Sequence, residues 1–273
     1  MKRNQKKTFK RNQKEYERLS DHIGLFPLVI ISPYDSNLIS EGSEERRKFI
    51  DGVISQYDKK YLEHLIDYNK LLLQRNSLLK QFAEQRFFDS DTLEVYNDQM
   101  LAPGNYIFEK RKSFLERFTP IFQHYYEWIA SSEEKVDLEY TSQLHQSKWV
   151  DGLKDFLSKD RAVQHSTFGI HKDDLDFLIN GRPIKKYGSQ GQQKSFLIAL
   201  KIAQFIVLKE TSTKTPLLLL DDIYDKLDEN RIIKLMQLVT SQLNSQLFIT
   251  DTHKERVEKL FSNIESSIRI FTL

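Results

Sequence analysis

Two adjacent carboxylates, Asp221 and Asp222, follow directly on the run Leu217-Leu218-Leu219-Leu220. A short apolar run of this kind reads as a buried strand, and ligands of open α/β sheets bind at the carboxyl ends of such strands. An acid there can hold Mg²⁺ directly or through water, and a second acid beside it can orient or deprotonate an attacking water. This is the Walker B pattern, although the two acids alone could equally end a strand and cap the next turn. About one helix upstream stands Lys186-Tyr187-Gly188-Ser189-Gln190-Gly191-Gln192-Gln193-Lys194-Ser195. Ser189 can cap a helix, and Gln192, three residues later, completes a capping box. Gly191 keeps the first turn free of side-chain bulk, so backbone amides and the positive end of the helix dipole can approach a phosphate. An ordinary N-cap explains Ser189 and Gln192, but not their combination with the carboxylates that follow.

Such a pair of segments needs strands and helices in alternation to position it. The pattern predicts a helix over 190–209, the strand at 217–220, a helix over 230–243, a strand over 246–250 and a last apolar stretch at 268–273. Upstream, 26–31 is a short apolar run stopped by Ser32-Pro33, and its branched residues favour a buried strand. Residues 136–140 alternate apolar and acidic positions as a half-buried strand does. Asn180-Gly181, between 175–179 and 183–184, is a strong hairpin signal because both turn positions tolerate positive φ. Strands alternating with helices of this length imply a largely parallel, covered sheet.

From about Glu44 onward charge is dense, and apolar residues recur at helical spacing: Tyr61, Leu65, Tyr68, Leu72, Leu79 and Phe82, with Arg75 as the polar interruption. A second seam, Leu115, Phe118, Phe122, Tyr125 and Ile129, follows a break containing Pro103-Gly104, and Pro120 is expected to kink or interrupt it. Two long helices packed antiparallel would form a helical arm. Its aromatics fall on the helical stripe and so read as core in preference to a base-stacking platform.

A chain of 273 residues, 39% hydrophobic and 29% charged, can bury a good core. No apolar run approaches the ~20 residues that cross a bilayer, and the basic start is not followed by a secretory apolar stretch, so a cytoplasmic protein without a membrane partner is expected. The absence of cysteine excludes disulfides, thiolate metal sites and cysteine nucleophiles. A net charge of +2 does not by itself imply nucleic acid. Charge location is more informative: Lys2, Arg3, Lys6, Lys7, Lys10, Arg11, Lys14 and Arg18 stand against only Glu15 and Glu17. That cluster is either a phosphate-neutralising arm or a solvated hairpin turning at Asn12-Gln13.

Tyr187-Gly188-Ser189-Gln190-Gly191-Gln192-Gln193-Lys194, then Leu217 to Asp222, then Asp225-Lys226-Leu227-Asp228-Glu229-Asn230-Arg231 resemble the signature, Walker B and D-loop of the RecF family of ABC-type ATPases. Ile31-Ser32-Pro33-Tyr34-Asp35, Gly42 to Asp51, Tyr68-Asn69 with Gln74-Arg75-Asn76, and Gly169 to Leu175 resemble successive family blocks in order. The resemblance thus runs over essentially the whole chain, with Ile170 standing where the family usually has proline. It implies an α/β fold: an incomplete ABC-type ATPase head, with a mixed, largely parallel sheet and helices, plus an inserted antiparallel helical arm. The expected divisions are 1–43 for the remainder of lobe I with its basic hairpin, 44–165 for the arm, and 166–273 for the lobe carrying signature, Walker B and D-loop. No Walker A sequence G-x-x-x-x-G-K-[ST] occurs, and Gly188-x-x-Gly191-x-x-Lys194-Ser195 is a decoy because no glycine precedes its lysine. The chain is therefore expected to begin inside the first lobe, to be inactive as an ATPase alone, and to expose a sheet edge and apolar surface.

Site roles follow from the resemblance. ATP held by the phosphate loop of one subunit is closed over by the signature of the other, so nucleotide joins a head-to-tail homodimer. Ser189, Gln190, Gly191, Gln192 and Gln193 would form the signature meeting ATP in trans, with Ser189, Gly191 and Gln192 at the γ-phosphate. Asp221 would carry Mg²⁺, and Asp222 would stand where many relatives have the general-base glutamate, a shorter acid that fits slow turnover and a clamp. Asp228 would cross the dimer interface on the D-loop. Thr250 or Thr252 would sit at the switch position, with His253 a further candidate, and Asp35 on the equivalent of the Q-loop. The family binds junctions of single- and double-stranded DNA and works with RecR and RecO to load RecA at gaps, in repair, replication and the SOS response. Independent support for DNA contact comes from Lys2, Arg3, Lys6 and Lys7 and from Arg46, Arg47, Lys48, Lys59 and Lys60 near the arm's base, which read equally as solvated faces. The rival readings are a noncatalytic DNA- or RecR-binding module and a transporter nucleotide-binding domain, which normally lacks long heptad-like helices before the signature.

Overall fold

The computed structural model describes residues 8–222, 229–239, 243, 245–253, 255 and 267–271. The basic segment is a hairpin: β1 (Lys10–Arg11) and β2 (Lys14–Glu15) pair antiparallel about Asn12 and Gln13, both at positive φ. Lys10, Arg11 and Lys14 stand exposed on it, while Lys2, Arg3, Lys6 and Lys7 lie outside the described residues. Strand β3 (Leu28–Ile31) leads through a 3-10 turn (Pro33–Ser36) into α1 (Asn37–Ser40) and α2 (Ser43–Ile54).

The helical hairpin comes next. Helix α3 (Lys59–Gln85) starts where the Asp58 carboxylate accepts the Tyr61 N–H at 2.9 Å, and stops at Arg86, left-handed at φ 50°. Helix α4 (Ser90–Ala130) is capped by Asp89, which accepts the N–H groups of Asp91 and Thr92. The turn therefore lies at 86–89 and not at Pro103-Gly104, and α4 runs unbroken through Pro103 and Pro120. Each proline removes a helical hydrogen bond, but tertiary packing overrides that loss. Pro103 and Gly104 are buried against α3 and the helix α5 (Trp149–Asp155), and a Cβ on residue 104 would lie 2.4 Å from the Trp149 ring.

The expected seams face the core, with Leu65, Leu72 and Tyr125 half-buried at its margin. Tyr61, Tyr68, Leu79 and Phe82 on α3 and Leu115, Phe118, Phe122 and Ile129 on α4 are core, as the stripe requires. The polar interruption is buried too. Arg75 pairs with Asp160 of α6 (Leu157–Val163) at 2.7 Å and donates to Asn97 and Ser166, so a paired charge replaces an apolar side chain in the seam, with only Nη2 lacking a partner among the described residues.

Two small sheets complete the molecule. Antiparallel β4 (Val136–Thr141), β5 (Asp174–Ile179) and β6 (Arg182–Pro183) include the expected hairpin, with Asn180 at φ 49° and Gly181 at φ 72°. Strand β4 falls within 44–165 and pairs with β5 within 166–273, and α4 also packs along α8 (Gln190–Thr211), so the arm is continuous with the head. The short helix α7 (Ile184–Tyr187) joins β6 to α8. Parallel strands run in the order β3, β7 (Leu217–Asp221), β8 (Leu247–Thr250), with α9 (Glu229–Leu238) between the last two in sequence. Among the described residues this sheet is covered on one face only: Val29, Ile31, Leu218 and Leu220 are buried, whereas Leu28, Ile30 and Phe248 on the other are 38%, 42% and 49% exposed. Helix α8 supplies the cover on the buried side, and no element among the described residues covers the other. Among the described residues the apolar stretch at 267–271 joins no ladder, and Ile268, Ile270 and Phe271 are exposed. No helix among the described residues is long and apolar enough to cross a membrane.

Candidate functional site

The signature segment folds as the cap of α8. Ser189 Oγ accepts the Gln192 N–H at 3.2 Å, and Gln192 Oε1 accepts the Ser189 N–H at 2.6 Å, closing the capping box. The Gln193 N–H reaches the Ser189 carbonyl at 2.9 Å. A helix starts with N–H groups that have no internal acceptor. Here those of Gln190 and Gly191 find none among the described residues, and the Ser189 hydroxyl keeps a proton to donate. Two amides and a hydroxyl at the positive end of a long helix make an anion-receptive group. A Cβ at residue 191 would meet only Arg231 Nη2 at 3.4 Å and Ser189 Oγ at 3.9 Å, so internal packing does not demand glycine there. Gly188 is the opposite case, its Cβ position lying 2.6 Å from Ile184 Cγ1 and 2.8 Å from the Ile184 carbonyl. The two glutamine carboxamides are engaged inside the chain. Gln192 Nε2 donates to Glu134, and Gln193 Nε2 donates to the carbonyls of Ile184 and Gly188.

At the end of β7, Asp221 pairs in parallel register with Thr250, whose hydroxyl donates to Asp221 Oδ1. The fold thus joins the expected metal carboxylate to one expected switch residue. Asp222 is left-handed at φ 51° and donates its N–H to the Thr250 carbonyl at 3.2 Å. Thr252 lies beyond the strand, exposed, its hydroxyl 2.9 Å from His253 Nδ1. Asp228 lies outside the described residues.

Asp251, which carries no sequence signal beyond following an apolar strand, has a wholly buried side chain. Its Oδ1 accepts the His253 N–H at 2.6 Å, while Oδ2 has no partner among the described residues. A buried carboxylate oxygen without a partner is costly and calls for an ion, water or donor. Mg²⁺ ordinarily takes one or two carboxylates and leaves its other positions to water and phosphate. Asp221 offers one such carboxylate at the strand end, and the described residues contain no cluster able to cage a metal by themselves.

Other expected site residues are tied into the fold. Asp35 pairs with Lys201 of α8 at 2.7 Å and accepts the Ser32 N–H at 2.8 Å, pinning the end of β3 to the signature helix. Arg46 binds Asp174 bidentately (2.8 and 2.9 Å), and Arg47 donates to the Asp173 carbonyl at 2.6 Å. These two half-buried arginines cross-link α2 to the start of β5. Lys48, by contrast, is solvated and pairs with Glu44 and Glu45 on its own helix.

Three contacts had no signal in local spacing. Glu134 accepts from Gln192, Tyr126 and Ser132 at the end of α4. Arg231 of α9 donates to Ser195 in the signature helix at 2.8 Å. Lys234, also on α9, caps α4 through the carbonyls of Trp128 and Ile129 and the Ser131 hydroxyl. Helix α9, which follows the D-loop segment, therefore touches both the signature helix and the end of the arm.

A helical hairpin inserted between the first parallel strand and the unit of capped helix and acid-terminated strand is the architecture of an ABC-type ATPase head. No family model matches the chain. Over all of its 273 residues it is 55% identical to the DNA replication and repair protein RecF of Flavobacterium johnsoniae, of which it spans 76%. Over 271 residues it is 48% identical to the protein of the same name from Bacteroides fragilis, spanning 72% of it. Among solved structures, the recombination mediator protein RecF-ATP in the RecFOR pathway superposes with a TM-score of 0.81 at 33% identity, covering 90% of this chain and 67% of that one. The RecF-ATPrS structure gives 0.79 at 29% identity, covering 89% and 67%. The chain belongs to the RecF family.

Proposed function

We propose that the chain provides the signature and Walker B side of a nucleotide-joined pair that clamps DNA in recombinational repair and replication. The observation that carries this reading is the open cap of α8, where the Gln190 and Gly191 amides and the Ser189 hydroxyl donate to no acceptor among the described residues. In the pair these groups meet the terminal phosphates of ATP seated on the phosphate loop of the other subunit. Gln192 and Gln193 act through the shape of the loop, because their carboxamides are engaged within it. Asp221 is the residue that would hold Mg²⁺, which neutralises phosphate charge when bound. Asp222 orients the attacking water, Thr250 fixes the Asp221 carboxylate, Thr252 stands near the γ-phosphate, and Asp228 lines the interface. A solved RecF bound to ATP at 33% identity supports the nucleotide part.

The DNA partner is a junction of single and double strands. The protein works in the cytoplasm with RecR and RecO to admit RecA at gaps, a step that feeds the SOS response. The exposed hairpin bearing Lys10, Arg11 and Lys14 is one basic surface for phosphate contact, and Lys59 and Lys60, exposed at the base of α3, are another.

The test pairs this chain with the full-length Flavobacterium johnsoniae relative. Co-elution that requires ATP and Mg²⁺ is expected, and Gly191→Asp should abolish it without lowering the melting temperature, because that variant sets a carboxylate where a phosphate would lie. Failure of the folded wild-type chain to associate with ATP present overturns the clamp reading. Binding to a gapped duplex should fall with salt and weaken on charge reversal at Lys10, Arg11 and Lys14, with a log–log slope reduced by about 3 for three lost phosphate contacts.

A further inference from the structure

The tip of the helical arm carries a feature that the clamp does not use. There Leu79, Phe82 and Leu93 form a small hydrophobic core separate from the main one. On its surface, between the end of α3 and α6, opens a groove of about 460 Å³ lined by Phe82, Ala83, Arg86, Phe87, Phe88 and Arg161 among others. Phe87 is 61% exposed. The Arg161 guanidinium lies over the Phe88 ring, 4.1 Å from its centroid, so an aromatic face holds the charge in place at the groove wall. Arg86 occupies the left-handed residue that ends α3, a position easiest for glycine or asparagine. Neither arginine has an ion-pair partner among the described residues, and no carboxylate lines the groove. An exposed aromatic, a concave apolar floor and two unpaired arginines are the composition of a protein interface, where aromatics and arginine are enriched.

We propose that this groove docks a short acidic segment of a partner protein, one apolar side chain entering the floor and flanking carboxylates pairing with Arg86 and Arg161. Charge complementarity selects the partner. Guanidinium groups match carboxylates bidentately. Single-stranded nucleic acid fits less well: two cations neutralise about two phosphates, which gives little affinity at physiological salt.

The experiment is fluorescence anisotropy with the full chain and a fluorescein-labelled peptide, Glu-Asp-Phe-Asp-Glu, beside a Lys-Lys-Phe-Lys-Lys control and a labelled thymidine 30-mer. Saturable binding of the acidic probe alone is expected, weakened about tenfold by Arg161→Glu and by Arg86→Glu, as for loss of one charge-assisted contact. Phe87→Ala should weaken it as well. All three side chains lie on the surface, and unchanged circular dichroism and melting temperature certify the variants; Arg86→Gln and Arg161→Gln give the same answer should a charge reversal disturb the tip. The proposal is overturned if the folded wild-type chain does not bind the acidic peptide, if the variants bind it as well as wild type, or if these substitutions abolish oligonucleotide binding in place of peptide binding.

Discussion

Replacing Arg111 with methionine should remove about 5 kcal/mol of folding stability. Arg111 is only 2% exposed, and its guanidinium binds Asp51 through two nitrogens (3.0 Å each), Asp173 at 2.8 Å and the Ile170 carbonyl at 2.8 Å. Tyr61 and Tyr140 donate to the same two carboxylates. Methionine fills much of the volume, so the cost comes from charge: Asp173, 1% exposed, and Asp51, 16% exposed, lose their cation. Removing one partner of a buried pair costs about 3–5 kcal/mol, and two carboxylates are stranded here, which argues for the upper end. For a chain of this size that corresponds to a fall in melting temperature of roughly 10 °C. The assay is urea unfolding at pH 7.5 and at pH 5. Burial already raises the Asp173 carboxyl above its ordinary value, against the lowering effects of Arg111, Ser142 and Tyr140. Without Arg111 the folded-state value rises further, so the folded variant takes up a proton that the unfolded chain does not. Its deficit relative to wild type should therefore shrink as pH falls from 7.5 to 5. A loss below about 1 kcal/mol, or a deficit independent of pH over that range, would refute the reasoning.

Burial lowers His171 from an ordinary 6.5 to about 4, between the Tyr68 hydroxyl and the Ser166 carbonyl. The unfolded chain then binds this proton first, so stability should be constant above pH 6.5 and fall by up to about 3 kcal/mol as pH drops to 4; urea titrations of wild type and His171→Gln, which should lack that component, check it. Gly188→Ala should destabilise by about 1–3 kcal/mol because its Cβ meets Ile184 at 2.6 Å, whereas Gly191→Ala should leave thermal stability unchanged within about 1 kcal/mol while weakening ATP-dependent pairing. Ile30→Thr with Phe248→Thr should raise the solubility limit of the chain with little change in melting temperature, since both side chains lie on the uncovered sheet face. Aggregation undiminished in that double variant would show that another surface drives it.

The functional segments were legible because their chemistry is local. A Ser189–Gln192 capping box spans a single helical turn, an Asn180-Gly181 hairpin needs only two residues that tolerate positive φ, and the acids after Leu220 must fall at a strand end. The heptad seams were legible too, since periodicity records which face is buried even where Arg75 stands in for an apolar residue. The hairpin turn was misplaced because Pro103 and Gly104 carry strong local signals for a break, and only the packing of Trp149 on Gly104 outweighs them.

What the sequence alone determined is therefore the family blocks, the strand and helix types, and the short-range caps, all set by interactions within a few residues of one another. Tertiary structure alone decided which charges are free. Arg46 and Asp174, Asp35 and Lys201, and Gln192 and Glu134 are far apart in the chain, and a lone arginine or aspartate looks the same in sequence whether it will face solvent, DNA or a buried partner. Their pairing depends on how α2, α4 and α8 pack, and burial then strengthens each pair by excluding the water that would otherwise compete for it.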